Sequence, residues 1–253
     1  MLSGPILDVI VDSEQNSLNA VRLLAALAVL FSHSFEIALG PNSAEPIGVL
    51  THYTLGQHAV NAFFVISGLT LAHSIARNPD LRRFFVARCL RIFPGLIACG
   101  FFFAFVLGPV VTSRSFTEYF SDAHTYLYPF TVAVAFDDAI PPAGIFETVP
   151  LAGAVNTPLW TLRYELAAYV GLATLAATGL FLRVWAVFLA TAVVFIGFVY
   201  WETFHELIAW PQWVGSLDRF AFCFLLGVAA YTVRDRIVLH QYRLSPRFRS
   251  SGC

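Results

Sequence analysis

Apolar residues gather into six runs of roughly bilayer length, approximately 18–40, 57–76, 86–111, 159–181, 183–201 and 215–233. A hydrocarbon core about 30 Å thick takes about 20 helical residues to cross, and each run approaches that length. The pattern predicts an all-α fold, a polytopic transmembrane helix bundle of about six spans filling 18–235. Pro94 falls inside the third run and predicts a kink, since proline has no N–H to donate and its ring crowds the preceding turn. A polar stretch, 113–158, separates the third and fourth runs. Its apolar piece at 126–136 is too short to span, so it lies at the interface or re-enters the bundle. Segments 1–17 and 236–253 flank the bundle. The first holds Asp8, Asp12 and Glu14 but no basic residue, which does not fit a cleavable signal peptide.

Composition agrees with burial in lipid: 58% of residues are hydrophobic and 12% charged, proportions foreign to a soluble domain. A net charge of −1 gives no electrostatic footprint for nucleic acid. The four cysteines (Cys89, Cys99, Cys223, Cys253) have no metal-ligand spacing and read as small apolar residues, so no metal site is expected. Charge sets the orientation. Arg77, Arg82, Arg83, Arg88 and Arg91 follow the second run, Arg183 precedes the fifth, and the tail adds Arg234, Arg236, Arg243, Arg247 and Arg249. The alternate loops carry Glu45, then Glu118, Asp122, Asp137, Asp138 and Glu147, then Glu202 and Glu206. By the positive-inside rule, both termini are cytoplasmic and loop 113–158 faces outward.

Ionisable residues inside spans are expensive and mark function or a buried partner. Arg22 and His33 share the first run, LNAVRLLAALAVLFSHSFEIALG (18–40). Eleven helical positions return the chain to nearly the same face about 16 Å further along. Counted from the outer ends of their runs, His33 and Glu165 lie at similar depth, while Arg22, Arg88 and Arg91 lie at the inner surface. An imidazole near a carboxylate suits proton transfer, and equally suits a transporter's proton relay. Asp218 and Arg219 read as a structural ion pair at a helix end, and Trp160 and Trp201 as an aromatic belt.

Four stretches in order resemble the membrane-bound acyltransferase 3 family, whose members O-acylate polysaccharides, lipopolysaccharide, peptidoglycan and macrolides. They are the Arg22–His33 pair, GQHAVNAFFVISGLTLA (56–72), RCLRIFP (88–94) and NTPLWTLRYELAAY (156–169). The resemblance implies an integral protein of the bacterial cytoplasmic (inner) membrane. It would move an acyl group, acetyl foremost, from cytoplasmic acyl-CoA to a hydroxyl of an envelope or exported carbohydrate or glycolipid. Acyl-CoA would be a co-substrate, with no bound cofactor. His33 would be the general base or acyl acceptor, and Glu165 would orient it or stabilise its charge. Arg22, Arg88 and Arg91 would hold the CoA phosphates, with Arg82 and Arg83 further out. Gly56, Ser67 and Gly68 would allow close helix approach, and Gln57, Asn61 and Ser67 are candidates to line the passage. The family pattern has about ten helices, and the tail SPRFRSSGC (245–253) ends the chain where more would be expected. A non-enzymatic transporter or flippase-like bundle, or an inactive truncated remnant, therefore remain the alternatives.

Overall fold

The computed structural model describes residues 18–40, 43–136, 141–151, 153, 155–207 and 210–237. The flanking segment 1–17, most of the Arg-rich tail, and Asp137 and Asp138 lie outside the described residues. The described chain is helical, in the order α1 (Leu18–Leu39), α2 (Pro46–Thr51), α3 (Leu55–Arg77), α4 (Leu81–Val111), α5 (Phe116–Ser121), α6 (Ala123–Ala135), α7 (Leu162–Ala177), α8 (Val184–Phe204) and α9 (Gln212–Thr232). Among the described residues, five helices are long and apolar enough to cross a membrane: α1, α3, α4, α8 and α9. The expected span at 159–181 takes a different form. It is a 3-10 turn, Thr157–Thr161, followed by the 16-residue α7, which covers only about 24 Å. Gly179, at φ +70°, ends α7 in the left-handed conformation that a β-carbon disfavours.

The main core joins α3, α7 and α9. Phe64 stacks on Phe220 with centroids 4.5 Å apart, and Leu69, Tyr164, Tyr169 and Phe224 fill the space around them. This crossing is close because glycine stands on both sides. A β-carbon built on Gly68 would lie 2.0 Å from the Phe224 carbonyl oxygen, and one on Gly227 would lie 2.0 Å from that of Val65. Small residues at such a crossing gain packing where lipid supplies no hydrophobic drive.

A second core forms where loop 113–158 folds back on α4. The piece at 126–136 belongs to α6, which packs against α4 with Pro129 over Gly100 and with Tyr128 and Val132 buried. Along α4, Pro94 sits in the helix and a π-turn follows at Phe103–Leu107. Such a turn disturbs the regular ladder, and the Ala104 carbonyl accepts a hydrogen bond from the buried Tyr119 hydroxyl at 2.8 Å. Further on, Cys99 Sγ reaches Asn156 Oδ1 at 3.8 Å. Cys99 lies about a dozen residues short of Val111, about 18 Å of helical rise from that end of α4. The chain therefore enters α7 from within the bundle and not from its rim.

At the start of α3, Thr54 and Gln57 close a reciprocal capping box. Glu45, only 5% exposed, is fully engaged: it accepts from Ser32 Oγ at 2.6 Å and from the Leu55 amide at 2.9 Å. That carboxylate ties α1 to the start of α3, one residue from His33.

Candidate functional site

One cavity of about 790 Å³ opens between α1, α3, α4, the 157–161 turn, α7 and α9. Of the residues singled out in the sequence, Arg22, His33, Gln57, Ser67, Arg91 and Glu165 line it. The walls also hold Glu36, Trp160 and Arg219.

His33 belongs to α1, where its Nδ1 lies 3.1 Å from Glu36 Oε2. Three positions apart on a helix put both side chains on one face. The carboxylate in hydrogen-bonding contact with the histidine is thus Glu36. Glu165 accepts a short hydrogen bond from the Tyr169 hydroxyl. It lies within electrostatic reach of Arg22, and Tyr169 beside it within reach of Arg88 and Arg91. Glu165 therefore keeps company with the arginines and not with His33. His33 and Glu165 nevertheless line one and the same cavity.

Arg22 donates to Thr70 Oγ1 at 3.1 Å and to Asn19 Oδ1 at 3.5 Å, which docks the foot of α1 on α3. Two candidates fall outside the wall. Arg88 lies with its guanidinium 5.9 Å from the Phe84 ring centroid and its buried Nε without a partner. It borders the arginine group but does not line the cavity. Asn61 lies about 80° round the helix from the centre of the face shared by Gln57, Val60, Phe64 and Ser67, and its Oδ1 is buried without a hydrogen bond. Gln57 does line the cavity, yet its Oε1 accepts from the Thr54 amide at 2.8 Å and so serves the helix cap.

Three further readings change. Trp160 is a cavity wall, packed on Tyr164 and Phe220 with centroids 5.6 Å away in both cases. Trp201 covers Gly215 between α8 and α9. Asp218 and Arg219 do not pair: Asp218 faces Gly197 and Trp201, while Arg219 turns into the cavity. Glu36, Trp160 and Arg219 are the residues missed in the sequence. Only Glu36 had a readable signal, its spacing of three from His33.

The arrangement has two poles. At one end an imidazole with a carboxylate at Nδ1 leaves Nε2 as the second ring nitrogen, the geometry of an oriented proton acceptor. At the other, arginines gather around one carboxylate, an arrangement suited to anionic oxygen.

The sequence profile of the family described as "Acyltransferase domain" matches residues 15–251. An "O-acetyl transferase" of Shigella phage Sf6 is 32% identical over 222 residues, covering 86% of this chain and 63% of the relative. "Nodulation protein 10" of Rhizobium leguminosarum bv. viciae is 30% identical over 181 residues, covering 62% of this chain and 43% of that protein. The chain thus spans about two fifths to three fifths of the length of these curated relatives. No solved structure matches it.

Proposed function

Because this chain belongs to the acyltransferase domain family, we propose that it is an integral membrane O-acyltransferase, carrying an acetyl-sized group from acyl-CoA to a hydroxyl of an envelope or exported carbohydrate. The observation that supports this reading is the two-pole cavity, with His33 and Glu36 at one end and Arg22, Arg91 and Glu165 at the other. Both termini would be cytoplasmic, so the arginine pole opens to the compartment that holds acyl-CoA. The guanidinium fork of Arg91 takes CoA phosphates bidentately, with Arg22 and Arg88 adding charge behind it.

In the reaction, His33 accepts the proton of the acceptor hydroxyl at Nε2 while Nδ1–H donates to Glu36. The freed oxygen attacks the thioester carbonyl, the C–S bond breaks, and the leaving CoA thiolate takes the proton back from His33, which returns to the neutral imidazole. The imidazolium formed on the way is stabilised by the Glu36 carboxylate. Glu165 limits repulsion among the arginines and so tunes donor binding.

The direct test gives membranes containing the chain radiolabelled acetyl-CoA and follows label into carbohydrate or glycolipid. Transfer that vanishes in His33→Ala supports the reading. Label that stays on CoA, with carbohydrate moved across the membrane unmodified, would replace it with transport.

A further inference from the structure

Arg219 is the cavity's least explained charge. It is 7% exposed, its Nε lacks a hydrogen-bond partner, and it lines the wall beside Phe220 and Trp160. Guanidinium does not lose its proton in a protein, so it is buried as a cation. No carboxylate among the described residues lies within ion-pairing distance of it. Its neighbours are rings, with the guanidinium carbon 4.6 Å from the Phe220 centroid and 5.0 Å from that of Tyr53. Ring faces offset only part of what a cation loses on leaving water. The Tyr53 hydroxyl, which also takes a hydrogen bond from the Arg219 guanidinium, donates its own proton to Glu202 Oε1 at 2.7 Å. Burial and the Glu202 bond outweigh Arg219 and raise the Tyr53 pKa to about 12, so the phenol stays neutral and offers Arg219 no negative charge.

Location decides which ligand would meet it. Tyr53 immediately precedes α3, and Gly56 at the start of α3 packs against Ser32, the neighbour of His33. Arg219 therefore stands at the histidine pole, away from the arginines assigned to the donor. We propose that Arg219 anchors an anionic oxygen group, carboxylate or phosphate, carried by the acceptor, with the Trp160 face packing against the sugar ring. The word acceptor rests on the acyl-transfer reading; the anion site itself does not. An oxyanion arriving with the ligand supplies the missing counter-charge and the missing acceptor for Nε in one contact, and a planar fork favours two-oxygen groups.

Calorimetric titration of the detergent-purified full chain, at matched ionic strength, with glucuronate, glucose 6-phosphate and glucose tests this. The two anions separate a carboxylate on the sugar from a phosphate. At least one should bind about tenfold or more tighter than glucose, the scale of one charge-assisted hydrogen bond. Arg219→Met should erase that ratio, Arg219→Lys should keep part of it, and Arg91→Met should leave it intact. Equal binding of all three probes by the unaltered chain, or no binding of any, overturns the proposal without reference to a variant. So does an Arg219→Met protein that still prefers the anion. Label transfer from acetyl-CoA is scored separately. Transfer without anion preference sinks only this inference, whereas anion preference without transfer sinks the acyltransferase reading and leaves the site.

Discussion

At the scale of single residues, His33 and Glu36 act as one unit on α1, with Nδ1 and Oε2 3.1 Å apart. His33→Ala should lower acyl transfer by about 10²–10⁴-fold, the usual worth of a positioned general base, with the protein still in the membrane. Glu36→Gln keeps an acceptor at Nδ1 but loses the charge facing the imidazolium, so kcat should fall while donor KM holds. Glu165→Gln should do the reverse, raising acyl-CoA KM more than it lowers kcat, because Glu165 sits among the arginines. Steady-state kinetics on the three variants separates these outcomes; a Glu36→Gln enzyme of unchanged kcat would refute the pairing's role. Arg22, His33 and Glu165 were legible because a charge in an apolar run stands out against its surroundings. Glu36 was passed over despite its spacing of three from His33, since an acid close to a span's outer end reads as a solvated rim residue. Arg219 was hidden by its neighbour: Asp218 suggested an ion pair, but adjacent helical residues point about 100° apart.

Helices and their crossings show what period and length do and do not disclose. Five of the six apolar runs are helices of spanning length, but α7 is shorter because its run includes a 3-10 turn on one side and Gly179 on the other. Hydropathy alone does not distinguish residues buried against protein from residues buried in lipid, so the 3-10 turn Thr157–Thr161 in the cavity wall was invisible. The α3–α9 crossing makes a sharp forecast. Gly68→Ala and Gly227→Ala each place a β-carbon on a backbone carbonyl that cannot swing aside. Each should destabilise by about 2 kcal/mol or more, read as a lower midpoint in detergent unfolding. Gly171→Ala meets nothing within 4 Å and should be neutral or slightly stabilising, since alanine is the better helix former. Tyr119→Phe strips the donor from the Ala104 carbonyl at the π-turn and should cost about 1–3 kcal/mol. A Tyr119→Phe chain of undiminished stability would mean that carbonyl finds another partner.

For the whole molecule, charge asymmetry and the two-pole cavity lead to one expectation, donor from the cytoplasm and acceptor from outside. In a background lacking the native cysteines, Ser121→Cys should react with an impermeant thiol reagent on intact cells, and Asp235→Cys only after the membrane is opened. The opposite labelling would invert the bundle and separate the arginine pole from its donor. The glycine crossing also has a mechanical consequence. Where two backbones meet at glycine, neither helix can slide without collision, so α3 and α9 behave as a fixed post. The first helix packs along that post, pinned by Arg22 on Thr70 at the foot and by Ser32 on Gly56 and Glu45 near the top. With 11% of its apolar stretch buried, against 44% for each helix of the post, the first helix is the looser partner, and amide hydrogen exchange should run faster along Leu18–Leu39 than along either of the other two.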